Sequence, residues 1–316
     1  KKNGLKKKKT RQEPLWKGPY EEGLTQSLLK QFLCCRERFH IRSVQGLAPP
    51  DTFKAAIEYG NLWHLCEEFH DGDWDGEILN YAKELASKYP LAQVDVEKWL
   101  NVCRIQYPLY KKFEKDNYES LGTAVFRERV FVVPYTLPSG RVVQLKGKWD
   151  GLNVKSRQHW SLEHKSKGNP DPMKINRMLF FDLQTMFYHV ALQDQCRNLK
   201  GVVYNVVRRP LAGGKGSIRR HKATANKPEE TQSSFYDRLE KIISEDAENF
   251  FMRWKVAITE TDVSRFKEEF LHPSLEMLCD WWDWVREDPF NPYRKGNKVH
   301  FRFPYGIYNP LTEGGD

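Results

Sequence analysis

The sequence predicts an α/β fold, and three observations predict it. Through the first third of the chain, apolar residues recur at three- and four-residue spacing, the period of a helix with one buried face. Between residues 124 and 164 the period shortens to two, as in strands with one covered face. Residues 200–207 then form a nearly continuous apolar run, the pattern of a strand covered on both faces. The composition supports a packed core for these elements. The 316 residues are 40% hydrophobic, with ten Trp, 14 Tyr and 18 Phe, which excludes a wholly disordered or collagen-like chain. No apolar run approaches the roughly 20 residues that span a bilayer, and the N-terminus is charged where a signal peptide is apolar. A soluble, cytoplasmic protein without a membrane partner is expected.

Taken in order, residues 1–23 carry no apolar period. Seven cations (Lys1, Lys2, Lys6, Lys7, Lys8, Lys9 and Arg11) precede the first acid, Glu13, and supply most of the net charge of +9. This stretch reads as a basic flexible arm, and 24–316 as a single domain. From Thr25 the spacing of Leu28, Leu29, Phe32, Leu33 and Phe39 predicts a helix capped by Thr25 or Ser27. After Pro49-Pro50 a second helix is expected over 52–69, carrying Tyr59, Leu62, Trp63, His64 and Cys66. The acidic run Asp71, Asp73, Asp75 ends it, and helices near 78–88 and 94–116 fill a helical insert over about 70–120. Period-two segments at 125–134 and 141–145, joined by Thr-Leu-Pro-Ser-Gly, form a hairpin; further strands follow at 147–154, 160–164 and 200–207, with a helix over 177–194. Residues 210–228, rich in Gly, Lys and Arg, read as a long loop. Helices at 233–254, 262–270 and 274–287, and a strand near 257–261, precede a Pro/Gly-rich tail.

The chemistry concentrates on Asp150, Glu163 and Lys165. Two residues apart on a strand, Glu163 and Lys165 share a face while His164 points away. Asp150 on the preceding strand comes alongside Glu163 if the two strands pair antiparallel. Paired carboxylates beside a peptide carbonyl make a hard oxygen site for magnesium, and a neighbouring ammonium orients or activates a water. Alternating charge on a solvent-facing strand is the competing reading. Three further features surround the trio: Gly147-Lys-Trp-Asp150, Gln184 and Tyr188 one helical turn apart, and His64 upstream. The cysteines, Cys34, Cys35, Cys66, Cys103, Cys196 and Cys279, form no CxxC pair, so buried free thiols are expected rather than zinc or disulfides.

This ordered set resembles the PD-(D/E)xK nuclease superfamily and, within it, the RecB-like nucleases, whose motifs run G…H, GxxD, ExK and QxxxY. The resemblance covers about residues 25–210, including the opening helix Ser27-Leu-Leu-Lys-Gln-Phe-Leu-Cys-Cys-Arg-Glu-Arg-Phe39. It implies a restriction-endonuclease-like core, a central mixed sheet flanked by helices. It also implies Mg2+ or Mn2+ held by Asp150, Glu163, the backbone carbonyl of His164 and His64. Lys165 would position the attacking water and stabilise charge on the scissile phosphate, and Gln184 and Tyr188 would contact the phosphate backbone or support Lys165. Relatives with an iron-sulfur cluster carry three clustered cysteines near the C-terminus. Here only Cys279 lies in the last 100 residues, so no cluster is expected, and packing by Trp281, Trp282 and Trp284 takes over its stabilising role.

Beyond the motifs, Arg208, Arg209, Lys215, Arg219, Arg220 and Lys222 place six cations and no acid in one stretch, either a solvated loop or a contact to the DNA backbone. Two other patterns fail on detail. The Asp71–Ile78 stretch begins like a calcium loop but has Ala82 where the bidentate Glu belongs, leaving an acidic turn between helices. Gly213-Gly-Lys-Gly-Ser217 lacks the Gly-Lys-Ser/Thr order of a phosphate loop. The expectation is a metal-dependent DNA nuclease, most simply an exonuclease processing ends in recombination, repair or phage replication, in bacterial or host cytoplasm. Its DNA would be single- or double-stranded and read without sequence preference. The alternatives are a non-catalytic DNA-binding protein of the same fold and a structure-specific endonuclease; oligomeric state, polarity and RNA cleavage are not legible.

Overall fold

A computed structural model of the chain describes residues 13–179, 182–212, 216–225 and 227–290. The elements run α1 (Gln26–Cys34), α2 (Arg36–Phe39), α3 (Ala55–Glu68), α4 (Trp74–Lys88), α5 (Gln93–Asn117), β1 (Thr123–Thr136), β2 (Val142–Lys155) and β3 (Gln158–Lys167). They continue with α6 (Pro172–Leu179), α7 (Leu183–Gln193), β4 (Leu199–Arg208), α8 (Gln232–Glu245), β5 (Phe251–Ala257), α9 (Glu260–Phe266) and α10 (His272–Val285). One five-stranded sheet has the order β1-β2-β3-β4-β5. Pairing is antiparallel for β2 with β3, parallel for β3 with β4 and antiparallel for β4 with β5, so the sheet is mixed, as expected.

Packing divides the residues expected to form one domain into two compact units. One comprises residues up to Pro50, Val132–Gly147 and those from Arg265 onward; the other comprises Asp51–Phe131 and Lys148–Ser264. In the first, Trp16 is 2% exposed and packs on Phe39 and Trp282, with ring centroids 5.2 and 4.9 Å away. Gly18 adopts φ +93°, and a Cβ there would fall 2.1 Å from the Trp282 indole nitrogen, so only glycine lets the chain pass. Residues 13–23 of the expected arm are therefore packed segments, while 1–12 lie outside the described residues. Leu24 continues the contact by exchanging backbone hydrogen bonds with Gln144 and Lys146.

In the second unit, the transition from β3 to β4 requires a crossover, supplied by α6 and α7. Even-numbered Val202, Tyr204 and Val206 of β4 pack with Ile175 and Leu179 of α6. Val207 instead joins the opposite-face core of Tyr59, Trp63, Trp99, Tyr107, Leu239 and Phe251. Coverage on both faces explains the apolar run that marked β4 in the sequence.

Four expected elements differ, one being the strand expected near 257–261, which ends at Ala257 as β5 because α9 begins at Glu260. The segments at 141–145 and 147–154 are one strand, β2. The helix over 177–194 is two, because Asp182 caps a new start by accepting from Thr185 N and Oγ1 at 3.0 and 2.8 Å. The helix over 233–254 ends at Glu245, and its final stretch is β5. Aromatic and β-branched residues there satisfy their backbone groups on β4, from Val207↔Phe251 to Gly201↔Ala257, which outweighs continued helix.

Candidate active site

The antiparallel register of β2 and β3, Gly151↔Leu162 and Leu152↔Ser161, carries Asp150 alongside Glu163. Asp150 Oδ2 accepts from the backbone N–H of His164 at 2.6 Å, which ties the two strands together at the site. On β3 the period of two directs Glu163 and Lys165 to one face, where their side chains form an ion pair. Gln184, near the start of α7, joins both: Lys165 Nζ donates to its Oε1 at 3.1 Å, and its Nε2 donates to Glu163 Oε1 at 2.8 Å. Tyr188 lies one turn further on, within the field of Glu163, Asp150 and Lys165, and its hydroxyl takes a hydrogen bond from the Lys148 backbone. Burial pushes that hydroxyl to about 12, so it stays neutral.

His64 comes from α3. Its Nδ1 lies 2.8 Å from Glu128 Oε1 and 3.8 Å from Asp150 Oδ1. Burial opposes the imidazolium, yet the hydrogen bond to Glu128 and the charge of Asp150 prevail and raise it to about 9. Glu128 is the candidate site residue that sequence reasoning missed. It sits on β1 with φ +48°, a left-handed backbone conformation rare for a side-chain-bearing residue, and that turn aims its carboxylate inward. There it also accepts from Lys148 Nζ at 2.9 Å. The available signal was an acid, between Arg127 and Arg129, interrupting the alternation of an otherwise apolar strand.

Electrostatics define what the arrangement can hold. Burial, and then the neighbouring Asp150, push Glu163 up to about 8 against the pull of Lys165. Asp150 is likewise raised by burial, though His64 and Lys165 counter it. Lys165 is desolvated too, but the two carboxylates hold it above the usual ammonium range. Three buried carboxylates repelling one another form a site that gains stability from a cation. The donor chemistry fits a hard divalent ion: one oxygen each from Glu128 and Asp150 and one nitrogen of His64 lie within 4.8 Å of one another.

The other expected site residues distribute differently. The His164 ring points to the opposite face, 2% exposed, with Nε2 3.7 Å from Glu67 Oε2, and burial drops its pKa well below the usual range. Of the basic loop, Arg208 donates to the Gly216 carbonyl at 2.7 Å and lies over the Phe250 ring, and Arg220 pairs with Glu229. Arg209 is half-buried, while Arg219 and Lys222 are exposed; Lys215 and Gly213-Gly214 lie outside the described residues. The acidic stretch at 71–76 serves the next helix, with Asp73 Oδ1 accepting from Gly76 N at 3.0 Å. All six cysteines are free thiols, with Cys66, Cys103, Cys196 and Cys279 buried. Among the described residues, no helix is long and apolar enough to cross a membrane.

Comparison with known proteins identifies the family. The sequence model of a family described as the PD-(D/E)XK nuclease superfamily matches residues 23–261, more than half of the chain. A search of curated proteins returned no match. Among solved structures, one titled "Crystal structure of SSO0001" aligns over 70% of this chain and 85% of that chain, at 13% identity and a TM-score of 0.21.

Proposed function

The chain belongs to the PD-(D/E)XK nuclease superfamily, whose members are metal-dependent nucleases, and we propose that it is a DNA exonuclease that hydrolyses phosphodiester bonds at strand ends. The observation that carries the reading is the union of Asp150, Glu163 and Lys165 on two paired strands, with His64 and Glu128 beside them. The order of motifs, which resembles the RecB-like group, supports the choice of an exonuclease acting in recombination, repair or phage replication.

Asp150, Glu163, His64 and the His164 carbonyl would hold Mg2+ or Mn2+, with Glu128 either a further ligand or the hydrogen-bond acceptor that orients His64. When bound, the ion supplies Lewis acidity toward the phosphoryl oxygen and a lowered pKa for water. Glu163 and Gln184 fix the Lys165 ammonium from two sides, so its remaining donor capacity faces the reacting phosphate. A permanently charged, pre-oriented ammonium stabilises the charge that develops on that phosphate. DNA of either strandedness would be gripped through its phosphates, without reading bases.

The test is digestion of end-labelled linear and closed-circular DNA with magnesium, manganese or EDTA, using wild type and Lys165→Ala. Metal-dependent loss of the linear substrate alone, reduced about 100-fold or more by the substitution, is expected. Cutting of the circle assigns an endonuclease instead. DNA binding without cleavage by the wild type under either metal overturns the catalytic reading in favour of a DNA-binding protein.

A further inference from the structure

We propose that Lys167 and Arg209 form a second phosphate subsite, which takes the backbone phosphate one nucleotide away from the scissile one. The proposal rests on the nuclease reading and extends it to the substrate: a polynucleotide strand that continues with a charged phosphate beyond the bond being cut.

β3 presents Glu163, Lys165 and Lys167 on one face, since successive residues alternate. Glu163 and Gln184 engage Lys165. The Lys167 ammonium is half-buried and makes no hydrogen bond or ion pair among the described residues. The charged groups around it are Lys165, Asp182, Arg209 and Lys174. Asp182, the only acid of the four, is already committed to capping α7 through Thr185. Burial first, and then these like charges, lower the Lys167 ammonium below its usual range.

Arg209 approaches from the end of β4, which runs parallel to β3. Its backbone N–H donates to the Lys167 carbonyl at 2.7 Å, which anchors it to the same spot. Its guanidinium nitrogen would lie 3.5 Å from a Cβ placed on Gly168, so the group lies against the residue following Lys167. It too is half-buried, lowered by burial and without a hydrogen bond or ion pair among the described residues.

Two partly desolvated cations whose one nearby carboxylate, Asp182, already caps α7 are costly, and an anion between them removes the cost. Position identifies the anion. Two residues along a strand advance about 6.6 Å, comparable with the step between consecutive phosphates of an extended polynucleotide strand. With Lys165 at the scissile phosphate, Lys167 stands one phosphate further on, and the planar guanidinium of Arg209 suits two-point contact with phosphate oxygens.

The test is independent of cleavage. Binding of deoxythymidine 3′,5′-bisphosphate and of deoxythymidine 5′-monophosphate is measured by titration calorimetry in magnesium, for wild type, Lys167→Met, Arg209→Met and Lys167→Arg. The Met variants keep an apolar stem and lose only the charge, and thermal melting verifies that they fold. Wild type is expected to prefer the bisphosphate by about tenfold. Each Met variant should bring the ratio close to one, and Lys167→Arg should keep it. No preference in wild type, or an undiminished preference in both Met variants, overturns the subsite. DNA digestion with no bisphosphate preference leaves the nuclease reading standing and removes the subsite; a charge-dependent preference without digestion removes the nuclease reading and, with it, the assignment of the bound anion to the phosphate next to a scissile one.

Discussion

Glu128 enters the site through a backbone conformation that strands seldom contain. A side chain at φ +48° is held against its local preference, and what holds it is the pair of contacts to His64 and Lys148. Glu128→Gln preserves shape and removes charge, so the acceptor that orients His64 becomes neutral and weaker. About 10–100-fold weaker magnesium activation is expected, read as the metal concentration needed for half-maximal cleavage. An unchanged requirement would make Glu128 a structural bulge residue only. Asp150, Glu163, Lys165 and Gln184 were legible as candidates at this scale because i and i+2 on a strand share a face and because the order of the motifs resembles a known family. Glu128 was not, because its role depends on a left-handed turn that no neighbour in the sequence announces. Nor was the different fate of adjacent Arg208 and Arg209, since only packing shows that one is paired with a carbonyl and the other is not.

At the scale of elements, local rules accounted for helices and strands wherever one tendency dominated. They gave way where two competed, as in 246–257, where a helical pattern yields to the β4–β5 ladder, and in 177–194, where Asp182 restarts the helix. The described part of the basic segment after β4 is a loop, as expected, tied to α8 through the Arg219 carbonyl, which accepts from Arg238 at 2.9 Å. Glu230 accepts from Arg238 on α8 at 2.7 Å and from the His221 backbone N–H at 2.9 Å. The hydrogen bond to Arg238 holds its carboxyl down at about 2. A depressed carboxylate stabilises above its ordinary pKa and loses that contribution as pH falls through the folded value. Attachment of this segment should therefore be complete at pH 5 and lost progressively toward pH 2. Hydrogen exchange at the His221 amide, corrected for intrinsic rates, reads it, and protection that persists unchanged at pH 2 would contradict it. Glu230→Gln should show the loss already at pH 7.

For the whole molecule, the site draws on five elements: α3, β1, β2, β3 and α7. Because its buried carboxylates repel one another, metal binding at this site would be linked to folding. Magnesium should raise the thermal midpoint in proportion to the logarithm of its concentration above the dissociation constant. EDTA should remove the increment, and Asp150→Asn should abolish it while melting near the metal-free wild type, as scanning fluorimetry would show. An identical increment in Asp150→Asn would place the ion elsewhere. The sequence by itself determined the α/β class and the covered strand β4, since periodicity is a property of neighbouring residues. Its ordered motifs, through the family they resemble, singled out His64, Asp150, Glu163, Lys165 and Gln184 as candidates that the fold brings close together. Tertiary structure alone decided that Glu128 completes the His64 contact, that the terminal part of the expected 233–254 helix becomes an edge strand, and that Trp16 belongs to a core. Those outcomes depend on which distant groups meet, and burial of surface and satisfaction of backbone hydrogen bonds across the chain settle that.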